Sequence, residues 1–249
     1  MYVAIDDTDN LSEGEGQNQG TGARGRELAA RLEEAGFGRS EGVTRHQLLV
    51  DPRIPYTSHN SAACILLKAD TADMQTIIKK GIAFLEAAAP GSDAGLCVAQ
   101  ESQVTEAVVA FGQRGKREVL TKEEAHRLAG ASGIHLSGHT GERIGVIGAL
   151  AAVGLRKGGA DGRFLDLKGL RQLRGEQPVE LLRAIGIRTF LSQETGPVEL
   201  RHSDVIDVGE KWPQPVLQHG KPTLLIEQVS EPGSPASWRV VSRDLVKQY

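Results

Sequence analysis

Three carboxylates stand at the end of the first apolar run of the chain. Asp6, Asp7 and Asp9 follow Tyr2–Ile5, which is typical of a short buried strand. Like charges this close repel one another unless a cation or protons intervene, and Mg²⁺ is commonly held by one or two carboxylates together with phosphate oxygens and water. The pattern predicts that Asp6, Asp7 and Asp9 bind a metal ion. The alternative is that residues Asp6–Asn10 are turn and cap formers that satisfy the local backbone.

A glycine-bearing loop follows, and an amphipathic helix begins after it. A helix start offers free N–H groups and the positive end of the helix dipole, which favour an anion. Gly20, Thr21 and Gly22 are therefore predicted to cradle phosphates, with Thr21 as the candidate N-cap. The first lysine of the chain is Lys68, so the GxxxxGK[ST] loop of ordinary P-loop proteins is absent.

A second polar loop, residues 132–143, leads into a helix of small and apolar residues, 144–154. His139 and Arg143 lie close to this helix start, where cations oppose the dipole by about 0.3–1 kcal/mol. A bound anion would remove the conflict, so Arg143, His139 and the amides after Gly141 are predicted to hold phosphate oxygens. In the alternative interpretation, an adjacent acid neutralises Arg143 and the histidine is an ordinary loop residue.

A third loop, residues 51–60, connects two strand-like runs at 47–50 and 62–68. Ligand contacts concentrate in loops held by a rigid scaffold, and Asn60 is a candidate cofactor contact here. Two prolines stiffen the loop, which is equally consistent with a structural turn.

The wider pattern alternates helices and strands. A helix is expected over 71–89, a strand around 96–99 and further helices within 101–130. The texture changes near residue 175, after which one helical piece gives way to short β-like runs at 198–200, 223–228 and 238–241. We predict a mixed α/β (α+β) fold, with an α/β region at 1–175 and a small β-rich module at 176–249.

Composition limits the functional classes. The net charge is −3 and aromatic residues make up 4% of the chain, so binding of nucleic acid through the overall field or through base stacking is not favoured. Cys64 and Cys97 each lie in an apolar run, which predicts neither a disulfide nor a zinc site. No apolar run approaches 18 residues, and we expect a cytoplasmic protein with no membrane partner.

Three segments together resemble the archaeal tRNA agmatidine synthetase family: residues 5–9, residues 51–56 with 60–63, and residues 144–154. That enzyme uses ATP to activate the wobble cytidine of an isoleucine tRNA and then attaches agmatine. The resemblance covers about residues 1–170. It implies a two-layer α/β region, kinase-like and ferredoxin-like, in which the acidic motif serves ATP and Mg²⁺.

The chain also departs from that family. Residues 12–19 lengthen the loop after the acidic motif, and the threonine that the family phosphorylates falls on Ala23, with Thr21 as an open substitute. A lysine and an arginine of the family correspond to Thr57 and His59, and the cysteines of its zinc ribbon are missing.

The resulting hypothesis is an ATP- and Mg²⁺-dependent phosphotransferase-like enzyme, kinase- or ligase-like, with Asp7, Arg143 and His139 acting in catalysis. Its partners would be a nucleotide and either tRNA or a small-molecule acceptor, and the oligomeric state stays open, a homodimer included. One alternative is a non-catalytic tRNA- or nucleotide-binding relative. Another is a haloacid-dehalogenase-type phosphatase, because Asp7 and Asp9 form a DxD pattern after an apolar strand.

Overall fold

A computed structural model describes residues 1–9, 20–55, 60–68, 73–229 and 236–249. The loop segment 12–19 and the two positions that depart from the family, Thr57 and His59, lie outside the described residues. The chain divides into two compact units, residues 1–158 and 159–249. Within the described residues, no helix is long and apolar enough to cross a membrane.

In its described residues, the first unit combines five strands with five α-helices. In chain order these are β1 (Tyr2–Asp6), α1 (Thr21–Glu34), β2 (Arg39–Gln47), β3 (Ser61–Lys68), α2 (Met74–Ala88), β4 (Gly95–Ala99), α3 (Glu106–Arg114), α4 (Lys122–Ala131), β5 (His135–Gly138) and α5 (Val146–Gly158). The strands of this unit are ordered β5-β4-β1-β3-β2, and each neighbouring pair is antiparallel. The first six elements follow the β-α-β-β-α-β order of ferredoxin-like folds, and the predicted mixed α/β class is confirmed.

Helices cover both faces of this sheet. On one face, a Cβ atom built on Gly25 of α1 would lie 2.8 Å from Cβ of Ala63, which shows how closely this helix packs. On the other face, Ala4 and Cys97 belong to one buried cluster with residues of α3, α4 and α5. The first unit therefore has three layers rather than the two that were expected. The reason is α5, which is apolar on nearly all sides and must be covered.

The second unit is rich in short strands. Its elements are β6 (Arg163–Asp166), β7 (Glu176–Pro178), α6 (Val179–Ala184), β8 (Thr189–Ser192), β9 (Gly196–Pro197), β10 (Val205–Asp207), β11 (Val216–Gln218), β12 (Lys221–Gln228), β13 (Trp238–Val240) and α7 (Arg243–Val246). Strand β12 is antiparallel to β11 and β13 and parallel to β8. Phe164 and Leu170 pack with Phe190 and Ile226 in one core. The boundary between the two units, at residues 158 and 159, therefore comes earlier than the change in sequence pattern near residue 175.

Four local expectations were wrong. The run 47–50 is not a strand, since β2 ends at Gln47, and residues 198–200 lie after β9. Residues 135–138 form β5 inside a segment that was expected to be irregular. The N-cap of α1 is Gly20, with Thr21 as its first helical residue. Exposed charged positions hid the alternation of β2, and half-buried polar residues hid that of β5.

Candidate functional site

A cavity of about 350 Å³ lies in the first unit, where β1 ends. Five segments meet there: the acidic strand end, the start of α1, the residues on both sides of the β2–β3 connection, the α3–α4 connection and the first turns of α5. The lining residues are Asp6, Asp7, Asp9, Thr21, Leu48, Arg53, Ile54, Pro55, Asn60, Ser61, Gly115, Glu118, Val119, Leu120, Thr121, Lys122, Glu123, Ile144, Ile147, Gly148 and Ala151.

Asp6 is the last residue of β1, and its carboxylate faces α5. A side chain at Gly148 would collide with this carboxylate, and a Cβ atom on Gly145 would lie 2.6 Å from the Asp6 carbonyl oxygen. The glycines of α5 and of the residues just before it thus let the helix start approach the strand end. Burial, followed by the charge of Asp7, raises the pKa of Asp6 to about 8.

Asp7 adopts a left-handed backbone conformation with φ 52°, which aspartate tolerates better than most residues. Burial raises the pKa of its carboxyl to about 6, with the charges of Asp93 and Asp9 adding to the effect. Asp93 is a carboxylate that sequence reasoning missed, because it lies in the turn before β4 and joins this site through the fold.

Mg²⁺ fits this donor set. The carboxylate oxygens of Asp6 and Asp7 are the hard donors that the ion prefers. Burial, followed by the charges of neighbouring carboxylates, raises both pKa values, and a cation would favour the charged forms. In the part of the chain that the structure describes, no group of three or more histidine, cysteine, aspartate or glutamate residues is arranged to hold a metal by itself. A bound Mg²⁺ would therefore need oxygens from a substrate and from water, as is usual for this ion.

Asp9 serves the start of α1. Its Oδ1 accepts a hydrogen bond from the backbone N–H of Thr21 at 3.0 Å, and Thr8 Oγ1 donates to Thr21 Oγ1 at 3.2 Å. The carboxylate of Asp9 thus takes one helix-start amide that was expected to face a phosphate. Thr21 lines the cavity, whereas Gly20 and Gly22 lie outside the lining residues.

Asn60 lines the cavity and also holds part of its wall in place. Its Nδ2 donates to the Leu49 carbonyl at 2.7 Å, and the Leu49 N–H donates to the Gly115 carbonyl at 3.0 Å. These bonds fix the segment after β2 that contributes Leu48 to the cavity.

The second predicted loop lies beside the cavity rather than in its lining. The N–H of Glu142 donates to the Asp93 carboxylate, that of Arg143 to the Thr140 carbonyl at 3.1 Å, and that of Gly145 to the Asp93 carbonyl at 2.9 Å. Three of the amides after Gly141 are therefore already used within the protein.

His139 and Arg143 lie near each other after β5, outside the cavity lining. His139 Nε2 is 2.7 Å from Ser137 Oγ, and its Nδ1 is 3.7 Å from a Glu86 carboxylate oxygen. Burial lowers the pKa of His139, Glu86 opposes this effect, and the charge of Arg143 adds to it. Arg143 packs over the backbone of Gly138 and is exposed.

The α3–α4 connection was not predicted to take part. It contributes Val119, which is 38% exposed, together with Leu120, and Lys122 at the start of α4 lines the cavity after them. The apolar wall of the cavity is formed by Leu48, Ile54, Pro55, Val119, Leu120, Ile144, Ile147 and Ala151. The sequence offered only a weak indication that this connection takes part, namely an apolar valine among polar residues.

The cavity thus has an acidic end and an apolar wall, with Lys122 also among its lining residues. An acidic end can take a metal with phosphate oxygens, and an aliphatic wall can take a flat ring system. A nucleotide has both phosphate oxygens and a flat ring system.

The solved structures that resemble part of this chain include apo TiaS, an agmatidine synthetase that acts on an isoleucine tRNA (25% identity, TM-score 0.50), and a tRNA fluorescent labeling enzyme (27%, 0.51). They also include the complex of TiaS with that tRNA and ATP (26%, 0.51). Each match covers 61% of this chain and 34%, 35% and 35% of the respective solved chain, so the chain spans about a third of their length. Comparison with protein-family models and with curated proteins finds no match. The resemblance to the agmatidine synthetase that three motifs predicted is confirmed for this part of the chain.

Proposed function

We propose that this chain is an ATP- and Mg²⁺-dependent phosphotransferase-like enzyme related to the tRNA agmatidine synthetase. The observation that carries the proposal is the cavity that joins the acidic end of β1 to an apolar wall. One of the similar structures is a complex of TiaS with ATP, which supports ATP as the nucleotide. The acceptor is tRNA or a small molecule.

We orient the nucleotide by the polarity of the cavity lining. Its phosphates would lie beside Asp6 and Asp7, where Mg²⁺ would neutralise their charge, and its base would lie against Ile54, Val119 and Ile147. Among the described residues, no aromatic side chain lines the cavity, so the base is held by aliphatic contacts instead of ring stacking.

The chain's own residues then have distinct roles. Asp7 would hold the metal ion beside the phosphate chain, and Asp9 keeps the start of α1 against the site through Thr21. Arg143 and His139 remain proposed as donors to the charge that develops during transfer, which is where fixed donors contribute most. Because both residues lie outside the cavity lining, we assign them to the acceptor rather than to the nucleotide.

A second candidate function is nucleotide or tRNA binding without turnover. The observation in its favour is Ala23, which stands in the first turn of α1 where the resemblance predicts a phosphorylated threonine. Thr21 lines the cavity and hydrogen bonds to Thr8, so it is the hydroxyl available to replace that threonine.

The experiment is a turnover assay with γ-labelled ATP, Mg²⁺ and bulk tRNA, run on the wild type, Asp7→Asn and Thr21→Val. We expect the wild type to release labelled phosphate or to form unlabelled ADP, and we expect Asp7→Asn to do neither. ATP binding with no turnover by the wild type would favour the binding protein. Hydrolysis of an aryl phosphate without ATP, lost in Asp7→Asn, would favour the haloacid-dehalogenase alternative.

A further inference from the structure

Lys122 is the first residue of α4 and lines the same cavity as the acidic end of β1. A cation in the first turn of a helix opposes the helix dipole, so this position is not explained by the stability of α4. In the sequence, Lys122 is far from the glycine-bearing loop, and no motif links the two.

The ammonium of Lys122 is held towards the loop that precedes α5. Its Nζ donates to the carbonyl of Glu142 at 2.9 Å. An ammonium has three N–H donors, and this bond uses one of them. The acceptor is a neutral carbonyl, so the bond positions the charge of Lys122 without neutralising it.

The same loop is tied to the acidic end of β1. The Glu142 N–H donates to the carboxylate of Asp93, and the charge of Asp93 acts on Asp7. Two hydrogen bonds therefore link Lys122 through Glu142 to Asp93, and the charge of Asp93 acts on Asp7. Lys122 and the carboxylates of Asp6 and Asp7 line the same cavity.

We infer that Lys122 binds the phosphate chain of the nucleotide beside Asp6 and Asp7, in place of the lysine that the glycine-bearing loop lacks. This inference rests on the proposed function. Ammonium–phosphate contacts are charge-assisted hydrogen bonds, and a lysine that reaches the outer phosphates is a common part of nucleotide sites. Here the fold supplies that lysine from the start of α4.

The test is calorimetric titration of the full chain with Mg·ATP and, separately, with adenosine. It compares the wild type, Lys122→Gln, Lys122→Arg and the control Lys79→Gln. Lys79→Gln changes the net charge by the same amount as Lys122→Gln. Lys79 is exposed on α2, on the opposite face of the sheet, so its replacement leaves the cavity unchanged. Thermal unfolding of each variant establishes that it folds.

We expect Lys122→Gln to weaken Mg·ATP binding by about tenfold or more, since hydrogen bonds to charged groups are the stronger class. Adenosine binding should change by less than about twofold, because the apolar wall is intact. Lys122→Arg should lie between Lys122→Gln and the wild type, and Lys79→Gln should match the wild type. Equal losses for ATP and adenosine, or no loss for either, would overturn the role of Lys122. A wild type that binds no Mg·ATP would instead overturn the proposed function, and this inference with it.

Discussion

The carboxylate of Asp6 occupies the space that a side chain at Gly148 would need. One residue ends the central strand of the first unit and the other lies in the first turns of α5, so their contact joins the two sides of the site. The absence of a side chain at Gly148 is what allows a buried carboxylate to face the cavity.

Gly148→Ala is therefore expected to disturb both stability and the site. Forcing a methyl group against Asp6 should lower the free energy of unfolding by about 1–3 kcal/mol, which is the usual cost of overpacking. Mg·ATP binding should weaken as well. Chemical denaturation and titration check the two effects. Gly130→Ala is the matched control, because a Cβ at Gly130 of α4 meets nothing within 4 Å, and a comparable loss there would contradict the account.

Asp6→Asn is expected to stabilise the metal-free protein. The variant keeps the shape of the side chain and removes a carboxyl group whose pKa is raised to about 8 by burial, so that folding near neutral pH no longer has to protonate this group or bury its charge. Without divalent ions its melting temperature should rise above that of the wild type, and the increase that Mg·ATP gives the wild type should be lost, because ligand stabilisation follows affinity. The control Glu34→Gln removes an exposed charge at the end of α1 and should change neither quantity. A metal-free Asp6→Asn protein less stable than the wild type would show that the carboxylate is structural.

Asp9 offers a way to separate capping from ligand binding. Asp9→Asn keeps an oxygen that can accept from the Thr21 N–H, whereas Asp9→Ala removes it. Asp9→Ala should lower the free energy of unfolding by about 0.5–2 kcal/mol, as for a lost helix cap, and Asp9→Asn should lower it less. If Asp9→Asn binds Mg·ATP as well as the wild type does, Asp9 is a structural residue; a loss comparable to that of Asp7→Asn would make it a ligand.

Arg143 should affect turnover more than binding. It lies outside the cavity lining and is exposed, so Arg143→Gln should lower kcat and leave the affinity for Mg·ATP within about twofold of the wild type. Arg127→Gln, an exposed arginine on α4, is the control. Steady-state kinetics with separate ATP titrations measure both quantities. An unchanged kcat would remove Arg143 from the proposed mechanism.

The sequence predicted those features that depend on the residues of a single segment. The acidic end of β1, the small-residue helix and the alternation of helices and strands were all visible from residue types and spacing, although α5 spans Val146–Gly158 rather than 144–154. Asn60 and Thr21 also line the cavity, as the loops that contain them suggested.

The rest depended on contacts between distant segments. Lys122 and Asp93 carry no local pattern, and they reach the site because α4 and the turn before β4 meet the loop before α5. The same contacts use amides that looked available in the sequence. Asp9 takes the Thr21 N–H, and Asp93 takes those of Glu142 and Gly145. Periodicity cannot reveal which donors a distant carboxylate will satisfy.

The most direct test of the central claim is calorimetric titration of the wild type and of Asp7→Asn with Mg·ATP. Asparagine suits the left-handed backbone at this position, so the variant loses a charge without backbone strain. We expect the wild type to bind Mg·ATP saturably and only when the metal is present. We expect Asp7→Asn to bind it at least about tenfold more weakly. Absence of binding by the wild type, or equal affinity in the two proteins, would contradict it.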